Sequence, residues 1–470
     1  MKTLILFALL LAGCAPDIRS GAPLLASIAL PDTLVKSNPA VTAVAETMLP
    51  EKWWHEFHDP VLDHLVGLAL AGNPGLKEAS ARLRKAQAAV VEVRSRLLPH
   101  VGSLGQLIRG RDSLHGNHSI YNGKTSTITS VFPLSISYHL DFWKQDEERI
   151  LASLASQQTT AAQYRQSALM LSSAVIKTYF AMNISKNIET AQADIVHLSK
   201  SAARLRDTAY HAGIQSENPS LAQSASLLEA KAILASLRKR TEILHFALMD
   251  LLGKGPDDKV PDLSVTGSIP KRFVIPQRID LALVSQRPDI QAALWNVRRQ
   301  SHLEKVAQKA FYPNINLLAL AGLSSVGLPD LLRAESGTYA YGPAVQLPLF
   351  EGGALTGRLH KSEAAYDVAV HAYNQNIVTA ARQIAAALAT LQYTRIQLDD
   401  KAASLKLRTS QANVAESGFR SGITGKLPYL EAAIRARRAK MVHMEERLNW
   451  LNSITDAAAS LGGGFGKWST

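Results

Sequence analysis

Two stretches dominate the hydrophobic pattern of this chain, and both are too long for a compact domain. From Lys144 to Ala212 there is neither Gly nor Pro, and Ile188, Ala191, Ile195, Leu198, Ala202, Leu205 and Ala209 alternate spacings of three and four. That alternation is the seam of a coiled coil. At about 1.5 Å per residue the stretch predicts a helix on the order of 100 Å long. Arg358 to Ser417 is a matching stretch, with Ile384, Leu388, Leu391, Leu398, Ala402 and Leu405 along its seam. Alanines recur in both seams, so the helices can lie close side by side. This suits a wall of helices better than a solid bundle, the alternative being a free-standing rod.

Ahead of each long helix the period changes. Pro74 to Leu98 reads as a helix opened by Pro74 and closed by Pro99. Val101 to Ile108 is strand-like, and a loop rich in Gly, Asn, Ser and His follows from Arg111 to Lys124. The strand pattern resumes over Thr127 to Phe142, where Ser135 to Leu140 alternates polar and larger residues. Farther on, Ile315 to Leu323, a loop holding Gly327-Leu328-Pro329-Asp330, and Tyr339 to Phe350 repeat the scheme.

The landmarks show a duplication. Pro74 pairs with Pro288 and Pro99 with Pro313 at one offset (288 − 74 = 214), and Gly213 with Gly422 and Gly253 with Gly462 at another (422 − 213 = 209). Each copy therefore supplies a helix, two strands, one very long helix and a shorter return helix. Tyr210-His211-Ala212-Gly213-Ile214 and Phe419-Arg420-Ser421-Gly422-Ile423 correspond residue by residue, with Gly where a helix must stop. Pro219 and Pro428 then restart the return helices.

Four strands cannot close a barrel, since even small ones need about 8. Beyond the N-terminus no apolar run reaches the length of about 18 residues that a spanning helix requires. Only a closed barrel completed by other copies of the chain could then cross a bilayer, and an oligomer follows.

The first residues bear on location. Met1 and Lys2 precede an apolar run from Leu4 to Leu11, which meets Leu11-Ala12-Gly13-Cys14. This reads as a secretory signal over 1–13. It resembles the lipobox of bacterial lipoproteins, which implies that Cys14 is acylated and becomes the first mature residue; an ordinary signal peptide is the alternative. Ala15 in place of Asp adds an expectation of outer-membrane delivery. Cys14 is the one cysteine, so a disulfide framework and a thiolate metal site are both excluded.

Composition adds less. An apolar share of 47% with 19% charged residues excludes a disordered chain. The net charge of +12 is spread along the helices without a basic-aromatic motif, which argues against nucleic acid and for a solvated surface or a tunnel wall with positive stretches. His55-Glu56-Phe57-His58 tempts a metal reading, but its histidines are three apart where a zincin helix needs four. With no phosphate loop or nucleophile elbow either, the expectation is no enzyme, no metal and no cofactor besides the covalent lipid on Cys14.

Taken together, Trp53-Trp54 with Phe57, Asp59-Pro60 and Leu62, then Arg287-Pro288-Asp289-Ile290, Phe311-Tyr312-Pro313, Gly342-Pro343 and Leu347-Pro348-Leu349-Phe350-Glu351-Gly352-Gly353 resemble the outer-membrane efflux protein family. These are the TolC-like channels, here the lipid-anchored branch that serves tripartite drug pumps. The resemblance implies a mainly α fold with a small β portion: a homotrimer whose twelve strands form one β-barrel, continued by an α-barrel of long coiled-coil helices. It divides the chain into a lipidated N-terminal and equatorial segment over 14–59, repeat one over 60–253, an equatorial connector over 254–286, repeat two over 287–462, and a tail over 463–470.

The implied function is a passive conduit in the outer membrane, reaching into the periplasm and exporting drugs or toxic compounds delivered by an inner-membrane pump and a periplasmic adaptor. The alternatives are a type I protein-secretion component and a non-conducting coiled-coil surface lipoprotein. Gly213, Ile214, Gly422 and Ile423 are implied to dock the adaptor, and Leu427 and Glu431 to form the periplasmic gate. Pro428 replaces an acid found in some relatives and Ile434 stands where others carry arginine, so a ring of salt links is not expected. A competing reading leaves Glu431 in the first turn of the return helix, favoured there by the helix dipole.

Overall fold

The computed structural model describes residues 16–28, 38–44, 49–111, 125–258, 270–276 and 279–464. The expectations for the signal segment, for Cys14, for the loop before Lys124 and for most of the tail fall outside these residues. The chain divides into two compact units, one built from 1–24, 82–161 and 292–373 and the other from 25–81, 162–291 and 374–470, so each draws on both repeats.

The elements follow the duplicated plan. In the first repeat, helices α1 (Pro60–Gly72) and α2 (Pro74–Arg94) lead to strands β2 (His100–Arg111) and β3 (Thr125–Leu140), then to α3 (Gln145–His211) and the return helix α4 (Glu217–Leu252). The second has a single turn α5 (Leu281–Val284) and α6 (Pro288–Lys309), then β5 (Asn314–Val326), β6 (Gly337–Gln346), α7 (Ala354–Arg420) and α8 (Lys426–Ser460). Both long helices have 67 residues. Strands β1 (Val41–Val44) and β4 (Phe273–Pro276), from the N-terminal segment and the connector, pair in parallel.

The first unit holds an antiparallel sheet in the order β2-β3-β5-β6, with the outer edges of β2 and β6 unpaired among the described residues. Because side chains alternate along a strand, the register sorts the residues by face. Ile136, Tyr138 and Leu140 align with Ala319, Leu317 and Ile315, and these in turn with Tyr341, Pro343 and Val345. The opposite face carries His100, Ser135, Ser137, His139, Asn316 and Gln346 near the helices, interrupted by Leu318 and Leu320, and past the bulge it mixes Gln106, Ser130 and Ser324 with Leu104, Ile108, Ile128 and Val326. The last strand stops at Gln346, short of the expected Phe350, because Pro348 cannot donate to a ladder. Leu349 and Phe350 are exposed.

Pro133 lies inside the central strand β3, a position proline tolerates only at a bulge. The ladder shifts there on both sides, between Gly102 and Leu104 and between Val131 and Leu134. Opposite the bulge is Gly322, where an added Cβ would sit 2.2 Å from the Val131 carbonyl oxygen and 2.7 Å from the Phe132 Cα.

Asp141 starts α3, its two carboxylate oxygens accepting from the backbone N–H groups of Asp146 (3.0 Å) and Glu147 (2.8 Å). Trp143 stacks on Tyr312 at 4.8 Å and donates to the Pro313 carbonyl. In the same unit the N-terminal segment lies along α6 and α7. The Pro16 carbonyl accepts from Gln308, the Arg19 N–H donates to Glu363 and the Ala22 N–H to Asp367.

In the second unit Trp53, Trp54 and Phe57 are buried, and Asp59 caps α1 while accepting from the Tyr179 hydroxyl at 2.8 Å. Burial, and then that bond, push the Tyr179 hydroxyl well above the usual phenol range. The two repeats close their helix pairs at equivalent places by different chemistry. Asn73 donates to the Leu251 carbonyl at the end of α4, and Arg287 to the Ser460 carbonyl at the end of α8, while Arg287 also grips Asp289 and Gln383.

The seam of α3 departs from expectation near its end. Ile188, Ala191, Ile195 and Ala202 are buried, but Leu205 is exposed and burial moves to Ser199 and Ala203. A straight helix drifts by about 20° per heptad from a 3.5-residue repeat, which carries Leu205 away from the buried side.

Candidate functional site

The second unit contains the turns that join each long helix to its return helix. They share one hydrogen-bond pattern, the Schellman motif. The Gly213 N–H bonds to the Tyr210 carbonyl and the Ile214 N–H to the Ala209 carbonyl; the Gly422 N–H bonds to Phe419 and the Ile423 N–H to Gly418. Both glycines have positive φ, +69° and +71°. A side chain added at either would meet nothing within 4 Å. The isoleucines that follow are among the most exposed apolar residues of the chain, Ile214 at 79% and Ile423 at 80%. Beside the second turn Phe419 stacks flat on Tyr429, and an apolar groove runs along Val414, Ala415, Gly418 and Ile423.

Leu427 is half-buried in the first turn of α8. Glu431 is the sixth residue of that helix, which has no acid in its first turn, so the helix-dipole account is corrected: the helix starts at Lys426, ahead of Pro428. Glu431 instead accepts from Arg206 of α3 at 3.2 Å. The absence of an arginine at position 434 therefore does not leave the carboxylate without a cation. Ile434 packs with Ile195 and Ala230 in a cluster that holds α3, α4 and α8 together.

The ion pair has no counterpart in the other half of the chain. At the offset of the duplication, Arg206 corresponds to Ala415 and Glu431 to Ala222 (431 − 209 = 222). The two hairpin ends thus share a backbone and differ in charge.

Burial along α8 shows how it is packed. Leu430, Ile434 and Leu448 are buried on one side, and Ala432, Ala436 and Trp450 on the side roughly opposite. Such a helix has neighbours left and right and two wet faces between. One wet face presents Leu427, Glu431, Arg435 and Arg438; the other presents Lys426, Tyr429, Arg437 and Lys440.

The histidines singled out from the sequence lie apart from any ligand set: His55 is 3.8 Å from Asp63, and His58 faces the Glu56 carbonyl. His139, Asp141 and Asp146, which sequence reading did not connect, do converge in the first unit. Their contacts account for them as a helix start, because Asp141 caps α3 and Asp146 pairs with Arg149 and His139.

The chain matches the family model described as "Outer membrane efflux protein" over residues 65–254 and 279–463. It is 26% identical over 471 residues to the multidrug resistance outer membrane protein MdtP of Escherichia coli O6:H1, spanning 97% of this chain and 94% of that protein. It is 31% identical over 323 residues to the fusaric acid resistance protein FusA of Burkholderia cepacia, spanning 66% of this chain and 59% of that protein. Among solved structures it is similar to the Campylobacter jejuni CmeC outer membrane channel, with a TM-score of 0.83 at 24% identity over 96% of this chain and 95% of that one. The open-state MtrE outer membrane channel of Neisseria gonorrhoeae gives 0.78 at 22% identity, over 96% and 98%.

Proposed function

Because the chain belongs to the outer membrane efflux protein family, we propose that it is the outer-membrane channel of a tripartite efflux system, a homotrimeric passive conduit for small toxic molecules that works with a periplasmic adaptor and an inner-membrane pump. The observation that carries this reading is the sheet: four strands, a more apolar and a more polar face over residues 134–140, 314–321 and 339–346, and two edges unpaired among the described residues. An open edge is a template for another strand. Three such sheets joined edge to edge make twelve strands, with the apolar face toward lipid and the polar face toward a water-filled lumen. The long helices continue the conduit into the periplasm. Export of small molecules is favoured over protein secretion because relatives are named for resistance to many drugs and to an organic acid. The chain conducts and does not catalyse. Recording from the purified trimer in a planar bilayer tests this, since a surface stalk would give no channels.

Lipid anchoring at Cys14 belongs to the same proposal. Two residues further along, Pro16 is held by Gln308, six residues ahead of β5, and so lies in the unit that contains the sheet. Two residues reach at most about 7 Å. An acylated Cys14 would then meet the inner leaflet near the strand ends, where Trp143 and Tyr312 suit a membrane interface. Intact-mass measurement should show loss of residues 1–13 and added acyl mass, and a free thiol at Cys14 would remove the anchor from the proposal.

The gate is assigned to Leu427 and Glu431, with Arg206 as the latch. A half-buried pair at the surface contributes on the order of 1 kcal/mol, a scale suited to a closure that must open. Arg206→Ala and Glu431→Ala should each raise resting conductance, and the double variant should conduct no more than either. Exchanging the charges, Arg206→Glu with Glu431→Arg, should restore closure. Additive effects, or none, would exclude the pair from the gate.

A further inference from the structure

The wet face of α8 that carries the gate residues does not stop there. One turn and two turns beyond Glu431 it presents Arg435 and Arg438, both exposed and, among the described residues, without an ion-pair partner. The neighbouring arginine Arg437 points to the other side, where Asp194 binds it at 2.8 Å. The first repeat carries Ser226 and Glu229 at the equivalent places (435 − 209 = 226). The two free arginines are therefore a feature of one return helix in each chain and not of the hairpin design.

We propose that Arg435 and Arg438 form a basic collar inside the gate, which makes the channel prefer anions and suits it to small organic anions, carboxylates above all, as cargo. The inference rests on the channel reading and on Leu427 and Glu431 facing the lumen, because the four residues share one face. Two arginines from each of three chains then surround the conduit within about 5 Å of axial rise. Glu431 does not cancel them, since its charge is already met by Arg206. The next acid on this face, Glu445, follows Arg438 by seven residues, roughly 10 Å along the axis. That exceeds the screening length of about 8 Å at physiological salt. Guanidinium groups stay charged at any working pH and bind carboxylates in a bidentate fork. A ring of them raises the local concentration of anions and repels cations.

The test is selectivity of the purified trimer in a planar bilayer under a KCl gradient, with citrate added on the side of the helix turns as a probe anion. The wild type should show a reversal potential displaced toward chloride and a concentration-dependent block by citrate. Arg435→Ser with Arg438→Glu, which copies the first repeat, should move the reversal potential toward potassium and weaken the block several-fold. Arg435→Gln with Arg438→Gln, which keeps side-chain size, should act in the same direction. All four changes are at exposed positions where folding is little affected. The recordings are repeated with Arg206→Ala and Glu431→Ala added together, which opens the gate without leaving a carboxylate unpaired on the collar's face, so that a closed gate is not mistaken for a missing conduit. A potassium preference in the wild type, or an unchanged reversal potential in both variants, overturns the collar. Absence of channels in every protein would instead overturn the conduit itself.

Discussion

Gly322→Ala is expected to abolish trimer assembly, while Gly342→Ala on the adjacent strand leaves it intact. The added methyl of the first meets the Val131 carbonyl oxygen at 2.2 Å and the Phe132 Cα at 2.7 Å, whereas the second meets nothing within 4 Å. Backbone cannot rotate away as a side chain can, so relief requires β3 and β5 to part at the centre of the sheet. The ladder is already weakened there, because Pro133 has no N–H to donate. Overpacking of this kind costs about 1–3 kcal/mol and each lost hydrogen bond about 1 kcal/mol more, a total on the order of 3 kcal/mol in every chain of the barrel. Outer-membrane fractions run on gels without heating should show the trimer band for Gly342→Ala and lose it for Gly322→Ala. Equal bands would mean that the bulge is not needed to close the sheet.

The second large effect is at the helix turns. Gly422→Trp should eliminate export and spare assembly. Positive φ costs a non-glycine residue on the order of 1–2 kcal/mol, but the hydrogen bonds of the turn are made by backbone and survive the change. The space around position 422 is open, so the indole displaces nothing within the chain. It does occupy the surface beside Ile423, where the family resemblance implies that the adaptor docks. Gly422→Ala carries the same strain without the bulk and should retain most of the export. Dye-efflux rates in cells, measured beside trimer yield, separate the two. Normal efflux with assembled Gly422→Trp would take docking away from this turn.

The duplicated plan was readable from the chain because its marks are local. Gly213 and Gly422 end helices by their own conformational freedom, and a stretch without Gly or Pro declares a long helix whatever surrounds it. What escaped was set by partners distant in sequence. Arg206 and Glu431 are 225 residues apart, and neither shows its charge to be matched until α3 and α8 lie together. The competing reading of Glu431 as a first-turn residue fails because Pro428 suggests a helix start, while the chain begins the helix at Lys426 and uses the proline inside its first turn. Pro133 falls within the expected strand from Thr127 to Phe142, and only the register against Gly322 shows the bulge that admits it. The segment from Pro16 onward carries no periodicity, since it is held through its backbone by side chains of Gln308, Glu363 and Asp367.

Helix α8, buried on two opposite sides and wet on the other two, has a thermodynamic corollary. A protomer built from such walls cannot dry its own surface: Val91, Leu228, Val368, Leu407 and Val414 remain exposed in the single chain. Folding and association then merge into one equilibrium governed by mass action. The midpoint of thermal unfolding should climb as chain concentration rises, and dilution alone should act as a denaturant. Before it meets its partners, each newly exported chain is a sticky, half-finished object whose survival depends on how soon two others arrive.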